Sequence, residues 1–186
     1  MTETPTRSRS SLRGLPRWIL VWISFPVSGL LAWLALGPIT SPGLAAMGGL
    51  LVGIAVGAAE AFALRVSVPA WSLATGLGLG VGSLLGALAR QALDGGPVVE
   101  GLATAALAGV GVAVAQSRLH PPLPRLAWIG LTVGAWIVGW AVSLAVAIDT
   151  SQGFSVFGAS GAFVFTVLLA ATVLLAARTR RTEAAA

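Results

Sequence analysis

Very few residues in this chain are of a type that does chemistry, and Glu60 is the most conspicuous. It is the one carboxylate set well inside an apolar stretch, GGLLVGIAVGAAEAFALR, which ends at Arg65. In hydrocarbon a charged side chain costs about 2.5–3.5 kcal/mol on insertion scales, so such a group is a candidate for proton or ion handling. Glu60 stands about one turn from the end of its stretch, close enough to reach the interface or Arg65, so interfacial anchoring is the competing use. Gln116 occupies the matching place near the end of a later apolar stretch. A hydrogen bond between the two would make a polar pair inside the membrane. Ser160, in Gly158-Ala159-Ser160-Gly161, is a possible nucleophile, but a serine needs a base within hydrogen-bond reach. The sole histidine, His120, lies earlier, in the proline-rich connector RLHPPLPR. With no second histidine and no cysteine to join it, His120 reads as a solvent-facing loop residue rather than a metal ligand. Arg90, Asp94, Glu100 and Asp149 could gather at one rim, where an exposed ion pair is worth only about 0–1 kcal/mol; capping and solvation suffice to explain them. The absence of cysteine removes disulfides and thiolate chemistry. No cofactor and no metal is expected.

The elements that must carry these residues are membrane helices. Of 186 residues, 56% are hydrophobic and 9% charged, against about 45–50% apolar and 25% charged in soluble domains. Six apolar blocks, at about 18–36, 43–64, 71–90, 98–116, 126–148 and 154–177, reach the length of about 18 residues that spans a bilayer core. The fold class expected is all-α, a polytopic transmembrane bundle of six helices. Residues 1–17 read as a disordered cytoplasmic tail and 178–186 as a short basic one. Proline and glycine mark the turns at 37–42, at 65–70 and at 94–97, with Pro121, Pro122 and Pro124 in the longest connector.

Charge sets the expected orientation. All eleven basic residues are arginine, and with the N-terminus inside, ten of them fall on the cytoplasmic side and only Arg90 outside. The positive-inside rule then puts both termini in the cytoplasm of a multi-pass plasma-membrane protein. The arginines flank apolar blocks and form no stripe suited to nucleic acid, so the lipid bilayer is the first partner expected. Trp18, Trp71 and Trp128 begin helices at the inner interface, where indoles are favoured.

Association between such helices must come from close packing, which small residues four apart permit. Gly49, Gly53 and Gly57 form one row, Gly78, Gly82 and Gly86 a second, Gly109 with Gly101, Ala105 and Ala113 a third, and Gly130 and Gly134 a fourth. These rows predict a compact bundle, with a second copy or another membrane protein as the partner for any row left over. The rows also repeat. A shift of 56 residues lays Gly53 on Gly109, Gly57 on Ala113, Glu60 on Gln116 and Gly78 on Gly134, and Trp71 meets Trp128 after a slip of one. Two helical hairpins of the same direction would be parallel repeats about an axis near the membrane normal.

On those residues the chain resembles small bacterial multi-spanning proteins of unknown function whose hairpins carry Gly-x3-Gly-x2-Gln, then Leu-Arg and a tryptophan. Gly53, Gly57, Leu64, Arg65 and Trp71 fit the first copy, with Glu60 in place of Gln; Gly109, Gln116 and Trp128 fit the second. The resemblance implies an architecture and no activity. The Gly158–Gly161 stretch is similar to the Gly-x-Ser-Gly of rhomboid intramembrane proteases, but the later histidine of that family is missing here. The sequence thus favours a non-enzymatic accessory or scaffold protein packing through glycine faces. A small transporter or channel subunit using Glu60 and Gln116 is the alternative, and an intramembrane hydrolase the third.

Overall fold

A computed structural model of the chain describes residues 15–93, 95–146 and 159–183. These residues form six helices: α1 (Leu15–Leu36), α2 (Pro42–Leu64), α3 (Val68–Ala92), α4 (Gly96–Gln116), α5 (Arg125–Ala145) and α6 (Ala159–Glu183). All six are long and apolar enough to cross a membrane, and no strand occurs among the described residues. Each helix packs extensively on its neighbours in sequence, and α1 also meets α6. The bundle is therefore a closed ring.

Several helices begin earlier than the apolar blocks suggest, for one physical reason. Proline lacks the N–H that an interior turn needs, but the first turn has no intrahelical use for that group. Pro42 opens α2, behind Ser41, whose hydroxyl accepts the Leu44 N–H at 3.2 Å. Pro69 and Pro97 lie in the first turns of α3 and α4. The turns expected at 37–42 and 65–70 are present but shorter, at 37–41 and 65–67, and the break expected at 94–97 ends before Gly96, because these prolines open the next helix. At the N-terminus, residues 15–17 of the expected tail belong to α1, and 1–14 lie outside the described residues. At the other end α6 runs on through Arg178 to Glu183, past the tail boundary expected at 178. The expected turn around Asp149 and the first residues of helix six, 154–158, lie outside the described residues, as does Asp94.

The end of α2 decides where Glu60 can point. Arg65 takes a left-handed conformation (φ 61°, ψ 41°), with its N–H bonded to the Ala61 carbonyl, and the Val66 N–H reaches the same carbonyl at 3.1 Å. This closure satisfies carbonyls that a helix end leaves open. It reverses the chain one turn beyond Glu60 and sends it into α3.

Glycine governs the approach of α2, α3 and α4. A Cβ on Gly53 would stand 2.7 Å from Gly76 Cα, one on Gly57 2.7 Å from Thr75 Cβ, and one on Gly82 2.6 Å from Ala108 Cα. Further round the ring the filling becomes aromatic. Phe25 of α1, Trp136 of α5 and Phe165 of α6 meet edge to face, with centroids 5.2–6.1 Å apart, a preferred arrangement for ring quadrupoles. Trp71 and Trp128 make a second such pair at 5.6 Å, joining the first turns of α3 and α5.

Candidate functional site

The residues singled out by the repeat, Glu60 and Gln116, meet. Gln116 Nε2 donates to Glu60 Oε2 at 2.7 Å and to Thr75 Oγ1 at 2.9 Å. Trp71 Nε1 donates to the same Glu60 oxygen at 3.1 Å, and Trp128 Nε1 donates to Gln116 Oε1 at 3.2 Å. Thr75 completes the set by donating its hydroxyl hydrogen to the Trp71 carbonyl at 2.8 Å. Five side chains from α2, α3, α4 and α5 are thus linked, none more than 2% exposed.

Helix geometry explains how they converge. Glu60 and Gln116 sit in the last turns of α2 and α4, while Trp71 and Thr75 share one face of α3 at i and i+4, and Trp128 holds the first turn of α5. The directions of the hydrogens follow from the chemistry of the groups. An indole N–H can only donate, so Gln116 must turn its oxygen to Trp128 and its NH2 to Glu60 and Thr75. Nothing in the cluster is ambiguous about donor and acceptor.

Two expectations change here. Glu60 does not snorkel or pair with Arg65; it is 2% exposed and its hydrogen-bond partners are neutral. Trp71 and Trp128 are not interfacial anchors: they are buried, with their N–H groups turned inward to the two polar side chains. An indole at a helix start satisfies either reading by sequence position alone. The matched spacings, Glu60 to Trp71 and Gln116 to Trp128, held the signal for the inward choice. Thr75 carried none, since an isolated threonine in an apolar helix is ordinary.

The glycine rows divide. Gly49, Gly53, Gly57, Gly78, Gly82, Gly86 and Gly109 all sit where a Cβ would press within 3 Å of a neighbouring helix. Gly130 and Gly134 do not: nothing lies within 4 Å of either Cβ position. Gly78 and Gly134, matched by the shift of 56, therefore stand in different surroundings. Gly134→Ala is accordingly expected to leave thermal stability in detergent unchanged or slightly raised, because the helix gains a better former without a clash.

Ser160 and His120 are kept apart. Ser160 opens α6, and Arg180, twenty residues on, donates to the Pro122 carbonyl beside His120. At 1.5 Å per residue that span is about 30 Å, far beyond proton-transfer range. Arg90 and Glu100 line an open recess of about 270 Å³ with Thr40, Ser41 and Gln91, at the end of the bundle opposite Glu60. No group of three or more His, Cys, Asp or Glu residues suited to a metal occurs among the described residues. Comparison with protein-family models, with curated proteins and with solved structures returned no match.

Proposed function

We propose that this chain is a non-enzymatic accessory or scaffold protein of the plasma membrane, with both termini in the cytoplasm, that receives a helix of another membrane protein on α5. The observation that carries the reading is the unfilled glycine face. Ala127, Gly130, Val138, Ala141 and Ala145 are exposed and Gly134 is half-buried, forming one stripe at helical spacing, whereas the other glycine rows are occupied by the chain's own helices. Small residues in such a stripe let a second backbone come close, and the packing this permits is one of the forces that associate helices in lipid. The orientation rests on arginine: Arg17, Arg65, Arg118, Arg125, Arg178 and Arg180 flank the helix ends that gather around the Glu60 cluster.

Replacing Gly130 and Gly134 together by Leu tests the reading. The variant should retain the elution profile and thermal stability of the parent while losing a membrane protein that co-purifies with it from native membranes. Unchanged co-purification would refute the docking face. Solute or ion flux in liposomes, abolished by Glu60→Gln, would favour the transporter reading instead.

We further propose that the repeat of two hairpins read from the sequence extends to a third. Buried Gly49, Gly53, Gly57 and Glu60 step by 56 residues onto Ala105, Gly109, Ala113 and Gln116, and by 56 again onto Gly161, Phe165, Leu169 and Thr172. On the returning helices Trp71, Thr75, Leu79 and Gly82 step by 57 onto Trp128, Thr132, Trp136 and Gly139. In this reading α6 pairs with α1 as a third, permuted hairpin, and the closed ring has threefold rather than twofold character. An orphaned atom supports it. Thr132 Oγ1 is buried with no hydrogen-bond partner among the described residues, yet its counterpart Thr75 receives Gln116. The donor due to Thr132 would come from position 172, where the threonine hydroxyl instead donates to the Leu168 carbonyl of its own helix at 2.9 Å. Thr172→Gln should therefore raise stability by about 1 kcal/mol, a rise in Tm of about 2–4 °C; Thr172→Val should not.

A further inference from the structure

We propose that Glu60 is a proton-binding site, loaded and emptied from the cytoplasmic end of the bundle while the surrounding hydrogen bonds stay in place. Only one of its two oxygens is open to a proton. Glu60 Oε2 already accepts from Trp71 and from Gln116, and both are nitrogens that present hydrogen. A proton on that oxygen would meet two others head on, so protonation takes place on Oε1. Oε2 then remains an acceptor in either state, and neither Trp71 nor Gln116 has to move.

The chain also contains its own control for the need of an acid. Gln116 receives Trp128 at 3.2 Å as Glu60 receives Trp71 at 3.1 Å, both near a helix end and both at most 2% exposed. A neutral amide evidently serves as the acceptor for a buried indole in this bundle. Nothing in the hydrogen-bond pattern at Glu60 requires an acid, since the oxygen that accepts could equally belong to an amide. What the carboxyl adds is the capacity to change charge, and in an apolar helix that capacity is costly to keep.

The elements packed around Glu60 leave its charge uncompensated. Helix α3 presents Trp71 and Thr75, and α4 presents Gln116; their charged residues, Arg90 and Glu100, lie at the far ends. From α1 the nearest charge is Arg17, whose guanidinium rests over the Phe62 ring at 5.2 Å. On α2 itself Arg65 stands in the cap one turn further on, and Arg118 and His120 lie in the connector after α4. No described cation pairs with Glu60. A fixed ion pair would hold the carboxylate permanently charged; neutral donors leave it free to take up a proton. Its place about one turn from the inner helix end gives a short path to cytoplasmic water.

The test uses the full chain in lipid nanodiscs and compares the parent with Glu60→Gln, which preserves shape and the acceptor oxygen. Infrared difference spectra across an acid titration should show a protonated-carboxyl stretch in the parent that is missing from the variant. Tryptophan emission should follow the same titration in the parent, because Trp71 reports the charge of its acceptor, and should be flat in the variant. Melting temperature and elution of Glu60→Gln should match the parent. The proposal is overturned if the carboxyl band and the emission change persist in the variant, or if the parent shows neither. It is equally overturned if Glu60→Gln fails to assemble while Glu60→Asp does assemble, since the acid would then be structural. A response driven by sodium at constant pH would also sink it, assigning the site to a metal cation.

Discussion

Gln116→Leu should be the most damaging single substitution among the polar residues, lowering stability by about 3 kcal/mol, or about two decades in the folding equilibrium. Gln116 is the hub: it donates to Glu60 and Thr75 and accepts from Trp128. Leucine fits the apolar surroundings and removes all three bonds at once. Interhelical hydrogen bonds in membrane proteins average about 0.6 kcal/mol and reach about 1.7. Their sum alone would be modest. The larger part comes from what is left behind: the Trp128 N–H loses its acceptor and Glu60 loses a donor, both in sites closed to water, and a stranded buried polar group costs about 1–3 kcal/mol. Thermal or denaturant unfolding in mixed micelles measures the loss. A fall below about 1 kcal/mol would mean that water or lipid headgroups replace the missing partners.

Gly78→Leu should prevent assembly altogether. The Cβ would stand 2.5 Å from the Gly111 carbonyl oxygen and 2.8 Å from Val112 Cα. Both are backbone atoms, which cannot rotate away as a side-chain tip can. Overpacking a yielding core costs about 1–3 kcal/mol; here α3 and α4 would have to part. Parting them also opens the polar cluster, since Thr75 rides on α3 and Gln116 on α4. The expected result is aggregated protein in place of a monodisperse peak in size-exclusion chromatography. Gly134→Leu, with an open Cβ position, is the matched control and should elute as the parent does.

The fold was legible where physics leaves little choice. Apolar runs long enough to span a bilayer have no other stable form than helix, because lipid cannot satisfy exposed backbone groups, and six such runs became six helices. Their starts were less legible, because proline excludes itself from helix interiors yet suits the first turn; Pro42, Pro69 and Pro97 could be read as stop or start, and the structure uses them as starts. The nearness of Glu60 and Gln116 could be read from their common offset along the chain. Their indole partners were visible as residues but not as partners. A tryptophan at a helix end can face headgroups or a buried acceptor, and which it faces depends on the rotation of the helix, which a glycine-rich sequence with small residues on several faces does not specify. The same ambiguity hid the difference between Gly78 and Gly134, identical in type and spacing, one pressed against a backbone and the other open.

Most of the chemistry assigned to this bundle depends on Glu60 and Gln116 acting on each other across it. A double-mutant cycle in a bilayer-mimetic system, with Glu60→Leu, Gln116→Leu and the two combined, measures that interaction directly. The double variant should be less destabilised than the sum of the singles by at least about 1 kcal/mol, since residues sharing a hydrogen-bond network couple by about 0.5–3 kcal/mol. Strictly additive losses would contradict this coupling and return the two side chains to separate, unrelated roles.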